Sequence, residues 1–149
     1  KIIGYIDRVK NEGGSILLGG SSIKINHRCS GGWFIEPTVI ENISNESKIN
    51  QEEIFGPVVT LLSFKNEKDA IKIANDTNYG LSATIWSKDK KKLDRISNKI
   101  DAGVIWTNCW LIRDLRTPFG GMKNSGYGRE GGQEAIRFFT EQKTICRTI

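Results

Sequence analysis

The sequence predicts an α/β fold, a parallel sheet with flanking helices. Three observations carry the prediction. From residue 58 onward, short β-rich apolar runs alternate with stretches of helical periodicity, giving the order strand, helix, strand, helix, strand. The breaks fall where such units need them: Asn66 stands where it can cap the first helix, and Gly103 where the second ends. The composition is that of one ordinary domain, with 22 basic and 17 acidic side chains in 149 residues, a net charge of +5, and no apolar run of membrane-spanning length.

Taken in order, Ile2, Ile3, Ile6 and Val9 recur at helical spacing until Gly13 and Gly14 stop the helix. "SILLGG" reads as a short buried strand, and Ser21 to Gly32 as a polar surface loop. "WFIEPTVIENI" is extended, with Pro37 marking a break or an edge. "VVTLLSF" (58–64) is a buried strand, followed by a helix to Asn75 that turns Ala70, Ile71 and Ala74 inward. "LSATIWS" (81–87) is the next strand. A helix from about 89 to 100 then carries Leu93, Ile96 and Ile100 on one stripe, and "VIWTN" (104–108) is a third strand. A helix over about 131–139 and a terminal strand from Lys143 to Thr148 complete the chain. A terminal strand needs a neighbour to pair with, so residues 141–149 are expected to act as an oligomerisation element apart from residues 1–140. The chain opens within a helical pattern and without an initiator methionine, as a piece of a longer protein would.

Several function classes are disfavoured. The positive excess is mild and partly one cluster, Lys88 to Lys92, that reads as a solvated face; no interleaved stacking aromatics argue for nucleic acid. Cys29, Cys109 and Cys146 are scattered and His27 is the only histidine, so no metal site is expected. That sparse, odd set fits a reducing cytoplasm. "GYGREG" matches the glycine spacing of a dinucleotide fingerprint, yet polar loop precedes it and the chain ends before the acidic residue such a site needs. Its glycines are expected to supply unusual backbone angles ahead of a helix.

The stretch "NCWLIRDLRTPFGG", Asn108 to Gly121, fits no periodic element. It begins where the third strand ends, the side of an open α/β sheet on which ligands bind, and is long for a plain connection. Cys109 invites a nucleophile assignment, since a reactive thiol needs a basic neighbour or a helix N-terminus and Arg113 stands nearby in sequence. Arg113 and Arg116 present planar guanidinium forks suited to a carboxylate.

Six stretches in this order, "GGWFIEPTVI", "QEEIFGPVV", "ANDTNYGLSATIWS", "AGVIWTN", "PFGGMKNSGYGREGG" and "FTEQKT", resemble the C-terminal part of the NAD(P)-dependent aldehyde dehydrogenase superfamily over nearly the whole chain. "NCWLIRDLRTPFGG" resembles more narrowly the muconic semialdehyde dehydrogenases. Those enzymes oxidise 2-aminomuconic or 2-hydroxymuconic 6-semialdehyde in aromatic ring-cleavage catabolism, that of tryptophan through kynurenine included. The resemblance implies a cysteine thiolate that forms a thiohemiacetal, hydride transfer to NAD, and hydrolysis of the resulting thioester by a glutamate-activated water. It also implies that the nucleophilic cysteine and the base glutamate precede the matching region, so no catalytic residue is expected within this chain, which alone would be inactive. A homodimer or homotetramer is the implied assembly.

Residue by residue, Glu53 of "EEIFGP" matches a glutamate that hydrogen-bonds the nicotinamide ribose hydroxyls, the two acceptor oxygens of a carboxylate suiting a vicinal diol. Phe55 matches an aromatic beside the nicotinamide, a role compatible with a packing one. Arg113 is the candidate anchor for the carboxylate at the far end of a semialdehyde, set against a salt bridge with Asp114 or another acid; Arg116 is the second candidate. Phe119 matches an aromatic lining the substrate entrance, and Trp110 either joins that wall or packs. Gly120, Gly121, Lys123, Ser125 and Arg129 are read as shaping the loop, and Cys109 as packing at a strand end. Two other readings stand: a dehydrogenase for neutral aldehydes whose arginines are structural, and a non-catalytic assembly module.

Overall fold

The computed structural model describes residues 1–149, which divide into two compact units, Lys1–Asn66 and Glu67–Ile149. The division falls inside the stretch that the sequence suggests is one piece.

The first unit is a helix on a small mixed sheet. Helix α1 (Ile2–Asn11) buries Ile6 and Val9, while its charged residues face water. Gly13, at φ 77°, ends it in the left-handed region that glycine adopts without strain. Strand β1 (Ser15–Leu18) follows, then β2 (Ser22–Ile23), a single 3-10 turn at His27–Cys29, β3 (Phe34–Ile35), β4 (Thr38–Glu41), the one-turn helix α2 (Lys48–Gln51) and β5 (Val58–Leu61). β4 is the central strand, antiparallel to β1 and parallel to β5. Its inward side chains Thr38 and Ile40 are buried, and Val9, Ile40, Ile43 and Ile49 form the core. The buried Thr38 hydroxyl is satisfied, donating to Glu36 O at 2.8 Å and accepting from Gly20 N at 3.0 Å. Ser47 caps α2, its hydroxyl accepting from Ile49 N at 3.1 Å.

The second unit comprises α3 (Glu67–Asn75), β6 (Tyr79–Gly80), β7 (Ser82–Ile85), α4 (Lys90–Ser97), β8 (Val104–Thr107), β9 (Met122–Lys123) and α5 (Gly132–Phe139). β7 and β8 run parallel in register from Ser82↔Val104 to Ile85↔Thr107, with α4 as the crossover. Asp89 caps α4, its carboxylate accepting from Lys92 N at 3.1 Å, and Leu93 is the buried residue of its stripe. β6 pairs antiparallel with β9. Lys123 then reaches back and donates to Asn75 O at 2.7 Å and Thr77 O at 3.0 Å, satisfying carbonyls at and beyond the end of α3.

Helices α3 and α4 are joined by a two-point ion pair: Arg95 Nε to Glu67 Oε1 at 2.7 Å and Arg95 Nη2 to Glu67 Oε2 at 2.6 Å. The Arg95 hydrogen bonds hold the Glu67 carboxyl below its ordinary value of 4.5. A depressed folded-state pKa contributes stability that is present above the unfolded pKa and lost as pH falls through the folded one. Wild type should therefore have a higher thermal midpoint than Glu67→Gln at neutral pH, and the gap should close below about pH 4.5. The pair is solvent-accessible, so added salt should shrink the gap at neutral pH. A gap independent of pH would show that the ion pair is not its source.

The structure departs from the sequence-based expectation in identifiable places. The parallel strands are not one three-membered run. β5 finds its parallel neighbour in β4, and β7 finds its own in β8, in a separate sheet. "SILL" and "VVTL" are not fully buried: Leu17, Leu18, Val59 and Leu61 are exposed, and β1 carries an irregularity between Ile16 and Leu18. Residues 21–32 include strand β2, which pairs with β3, and the 3-10 turn. The strand expected over 81–87 is shorter, with β7 spanning Ser82–Ile85, α4 ends at Ser97, and Ala74 of α3 is exposed. The strand expected over Lys143–Thr148 is not formed within the single chain, where residues 140–149 carry neither helix nor ladder. The three cysteines are unpaired, and no helix is long and apolar enough to cross a membrane.

Candidate functional site

In the first unit the "EEIFGP" turn links α2 to β5. Its two glutamates are treated differently by the fold. Glu52 accepts a short hydrogen bond from the Tyr5 hydroxyl, and that bond, with Lys48, Arg8 and Lys1 nearby, holds its carboxyl below the usual value. Glu53 is exposed; its backbone oxygen accepts from Lys1 Nζ at 2.9 Å, and no side-chain bond engages its carboxylate. Phe55 is the outlier of the turn. Its φ is 58°, costly for an aromatic residue, and its side chain is 83% exposed. Packing does not account for this conformation, because the ring lies outside the core. Gly56 follows, and a Cβ there would stand 2.5 Å from Ile2 Cδ1, so the Ile2 side chain would have to move to admit one. The turn thus engages Glu52 within the unit and leaves Glu53 and Phe55 exposed.

In the second unit the Asn108–Gly121 loop leaves the carboxyl end of β8. Asn108, at φ 52°, fastens its start: Nδ2 donates to Ser87 O at 2.8 Å while Oδ1 accepts from Ser87 N at 2.9 Å. The buried Trp106 donates from Nε1 to Ile112 O at 2.8 Å, pinning the loop from below. Cys109 is half-buried and lies beside this pin in sequence. Phe119 and Glu130 exchange both backbone hydrogen bonds, each 2.8 Å, which closes the loop against the glycine-rich turn.

That closure brings three side chains together. The Arg113 guanidinium lies over the Phe119 ring, 4.1 Å from its centroid, and donates from Nη2 to Glu130 Oε1 at 2.9 Å. Arg113 is 34% exposed. Arg116 is elsewhere occupied. Its Nε and Nη2 grip Asp114 at 2.9 and 2.5 Å, lowering the Asp114 pKa and raising its own, and its side chain is 89% exposed. Arg113 engages an acid through one N–H, whereas Arg116 uses its fork. Trp110 is exposed rather than packed. The acid paired with Arg113 is Glu130, not Asp114; seventeen residues separate them, and only the backbone bridge at Phe119 makes the pair visible.

The loop-shaping residues behave as their motif suggests. Ser125 Oγ accepts from Gly80 N at 2.9 Å, and Arg129 Nη1 donates to Gly121 O at 2.9 Å and Gly128 O at 2.6 Å. Gly126, Gly128 and Gly131 all have positive φ, which is why glycines recur before α5. A cavity of about 380 Å³ opens beside this turn, bounded by Phe119, Tyr127, Arg129, Glu130 and Phe138. No cluster of His, Cys, Asp or Glu is suited to a metal.

The second unit thus holds a parallel βαβ unit with a long loop at the carboxyl end of its second strand, and the first unit holds the "EEIFGP" turn. The chain belongs to the aldehyde dehydrogenase family, whose match covers residues 1–145. It is 46% identical over 147 residues to the 2-aminomuconic semialdehyde dehydrogenase of Danio rerio, covering 97% of this chain and 30% of that protein. The 2-hydroxymuconic semialdehyde dehydrogenase of Pseudomonas sp. (strain CF600) is 38% identical, with 98% and 30% covered. Among solved structures, HpcC from Thermus thermophilus superposes with a TM-score of 0.90 at 43% identity, covering 97% of this chain and 28% of that one. The P. syringae indole-3-acetaldehyde dehydrogenase AldA, in complex with NAD+ and IAA, gives 0.88 at 38% identity, with 95% and 28% covered. The chain therefore spans about 30% of the length of the curated relatives it matches.

Proposed function

We propose that this chain contributes the substrate-anchoring loop and part of the nicotinamide-facing surface of an NAD-dependent aldehyde dehydrogenase that oxidises a muconic semialdehyde to the acid. The observation that carries the reading is the Arg113 guanidinium, laid on Phe119 in the loop beyond β8 with donors to spare. A semialdehyde carries a carboxylate opposite its aldehyde, and a planar guanidinium is the side chain that grips a carboxylate through paired hydrogen bonds. Phe119 lines the same site, and Arg116, turned onto Asp114, serves the loop. The two muconic relatives act on such semialdehydes by their names, and aromatic ring breakdown, that of tryptophan included, is the setting that the sequence resemblance implies.

Glu53 and Phe55 suit the nicotinamide riboside: an exposed carboxylate offers two acceptors to a ribose diol, and an exposed aromatic lies two residues on. When bound, NAD accepts the hydride released as the aldehyde carbon is oxidised. This chain's residues bind and orient; the nucleophile and the general base belong to the remainder of such an enzyme. The unpaired cysteines accord with the cytoplasm. Residues 141–149, exposed beyond α5 with no ladder of their own, would supply the strand that pairs across subunits of a homodimer or homotetramer.

A second reading has its own observation. Both arginines are ion-paired within the chain, as purely structural arginines in a neutral-aldehyde dehydrogenase would be. The full-length protein, assayed by NAD reduction with 2-aminomuconic or 2-hydroxymuconic semialdehyde and with a neutral aldehyde of similar length, separates the two. A higher kcat/KM for the acid-bearing aldehydes is expected. Equal values for both would favour the second reading.

A further inference from the structure

We propose that Glu130 is a placeholder carboxylate on Arg113. It occupies the guanidinium when the site is empty, is displaced by the substrate's carboxylate, and so moderates the enzyme's preference for acidic aldehydes. The inference rests on Arg113 being the substrate anchor and adds to it a residue that the anchor role does not itself require.

Four features point to it. Glu130 makes with Arg113 the kind of contact a substrate carboxylate would make, N–H to carboxylate at 2.9 Å. The contact is single rather than bidentate, unlike the Arg116–Asp114 and Arg95–Glu67 pairs of the same unit, so it is the easiest of the three to exchange. The Glu130 side chain is 66% exposed, so on leaving Arg113 it returns to water at little cost. Finally, Glu130 is held by its backbone, which exchanges two 2.8 Å hydrogen bonds with Phe119, and Phe119 is the ring beneath Arg113. The carboxylate can therefore swing away while the Phe119 platform keeps the guanidinium in place. A neutral aldehyde has nothing to exchange for Glu130 and leaves the pair closed; an aldehyde ending in a carboxylate replaces one anion by another. With both anions on one guanidinium, their repulsion would oppose binding, so Glu130 acts as a competitor that the substrate must displace.

Glu130→Gln removes the charge and keeps the shape and the backbone bridge. In the full-length enzyme it should tighten binding of an unsaturated six-carbon dicarboxylate, a probe that cannot be oxidised, by about twofold to fivefold in Kd, the size expected for loss of one exposed ion pair. The ratio of kcat/KM for the acidic over a neutral aldehyde should rise by the same factor. Glu130→Asp keeps the charge on a shorter arm and should give a smaller change in the same direction. Unchanged or weaker dicarboxylate binding in Glu130→Gln would overturn the proposal and leave Glu130 a structural partner of Arg113. The anchor itself is judged separately: if Arg113→Ala binds the dicarboxylate as wild type does, the anchor reading fails. If Arg113→Ala weakens binding and Glu130→Gln does not tighten it, only the placeholder fails.

Discussion

Replacing Arg113 by alanine in the full-length enzyme is expected to lower kcat/KM for a muconic semialdehyde roughly tenfold to a hundredfold, the equivalent of losing about 1.5–3 kcal/mol from a charge-assisted hydrogen bond. The loss should appear mainly in KM, because the contact lies at the end of the substrate remote from the reacting carbon and is made in ground and transition states alike. A neutral aldehyde of the same length should be oxidised nearly as before. Arg113→Lys retains the charge but not the fork, and should recover only part of the loss. Arg116→Ala is the internal contrast. Its guanidinium is held on Asp114 at the surface, so its removal should disturb the loop slightly and the acid-to-neutral preference not at all. If Arg113→Ala and wild type show the same kinetics on the semialdehyde, the guanidinium is structural and the substrate is gripped elsewhere.

The contrast between the two arginines was only half legible in the sequence. Both stand three residues apart around Asp114 in one aperiodic loop, and the residue types alone make either a carboxylate anchor. What separates them is long-range. Glu130 reaches Arg113 through the backbone bridge at Phe119, a pairing with no periodic signature. The loop's position was legible, because strand β8 and helix α4 follow from apolar spacing and from the polar residues that end them. The sheet partners were not. β5 reads as the first strand of an alternating strand–helix run, but its ladder is made with β4, whose four residues sit behind Pro37. "SILL" and "VVTL" are half-exposed despite being apolar, since an apolar run does not say how many of its faces are covered. At the "EEIFGP" turn the motif pointed to Glu53 and Phe55. The left-handed backbone of Phe55 and the engagement of Glu52 by Tyr5 are tertiary facts that no local propensity records.

Gly103→Ala should be among the most damaging single-methyl additions in the second unit, and its damage should reach the site. Gly103 leads into β8, with its N–H donating to Gly80 O at 3.0 Å. A Cβ built there would stand 1.7 Å from Gly120 O and 2.8 Å from Gly120 C. Both are backbone atoms, so no rotamer change relieves the overlap; either β8 or the "PFGG" turn must move. Overpacking against backbone is expected to cost more than about 3 kcal/mol. The shift is also directional. Gly120 follows Phe119, the ring on which Arg113 rests, so whatever fraction of the protein folds should bind the dicarboxylate probe more weakly than wild type. Gly4→Ala is the matched control. It adds the same methyl within helix α1, where nothing lies within 4 Å of the new carbon, and should stabilise by up to about 1 kcal/mol through helix propensity. Thermal midpoints and soluble yields of the two variants should therefore move in opposite directions. A Gly103→Ala protein that melts with wild type would mean that the strand and the turn are not in contact, and the support beneath Phe119 would have to be sought elsewhere.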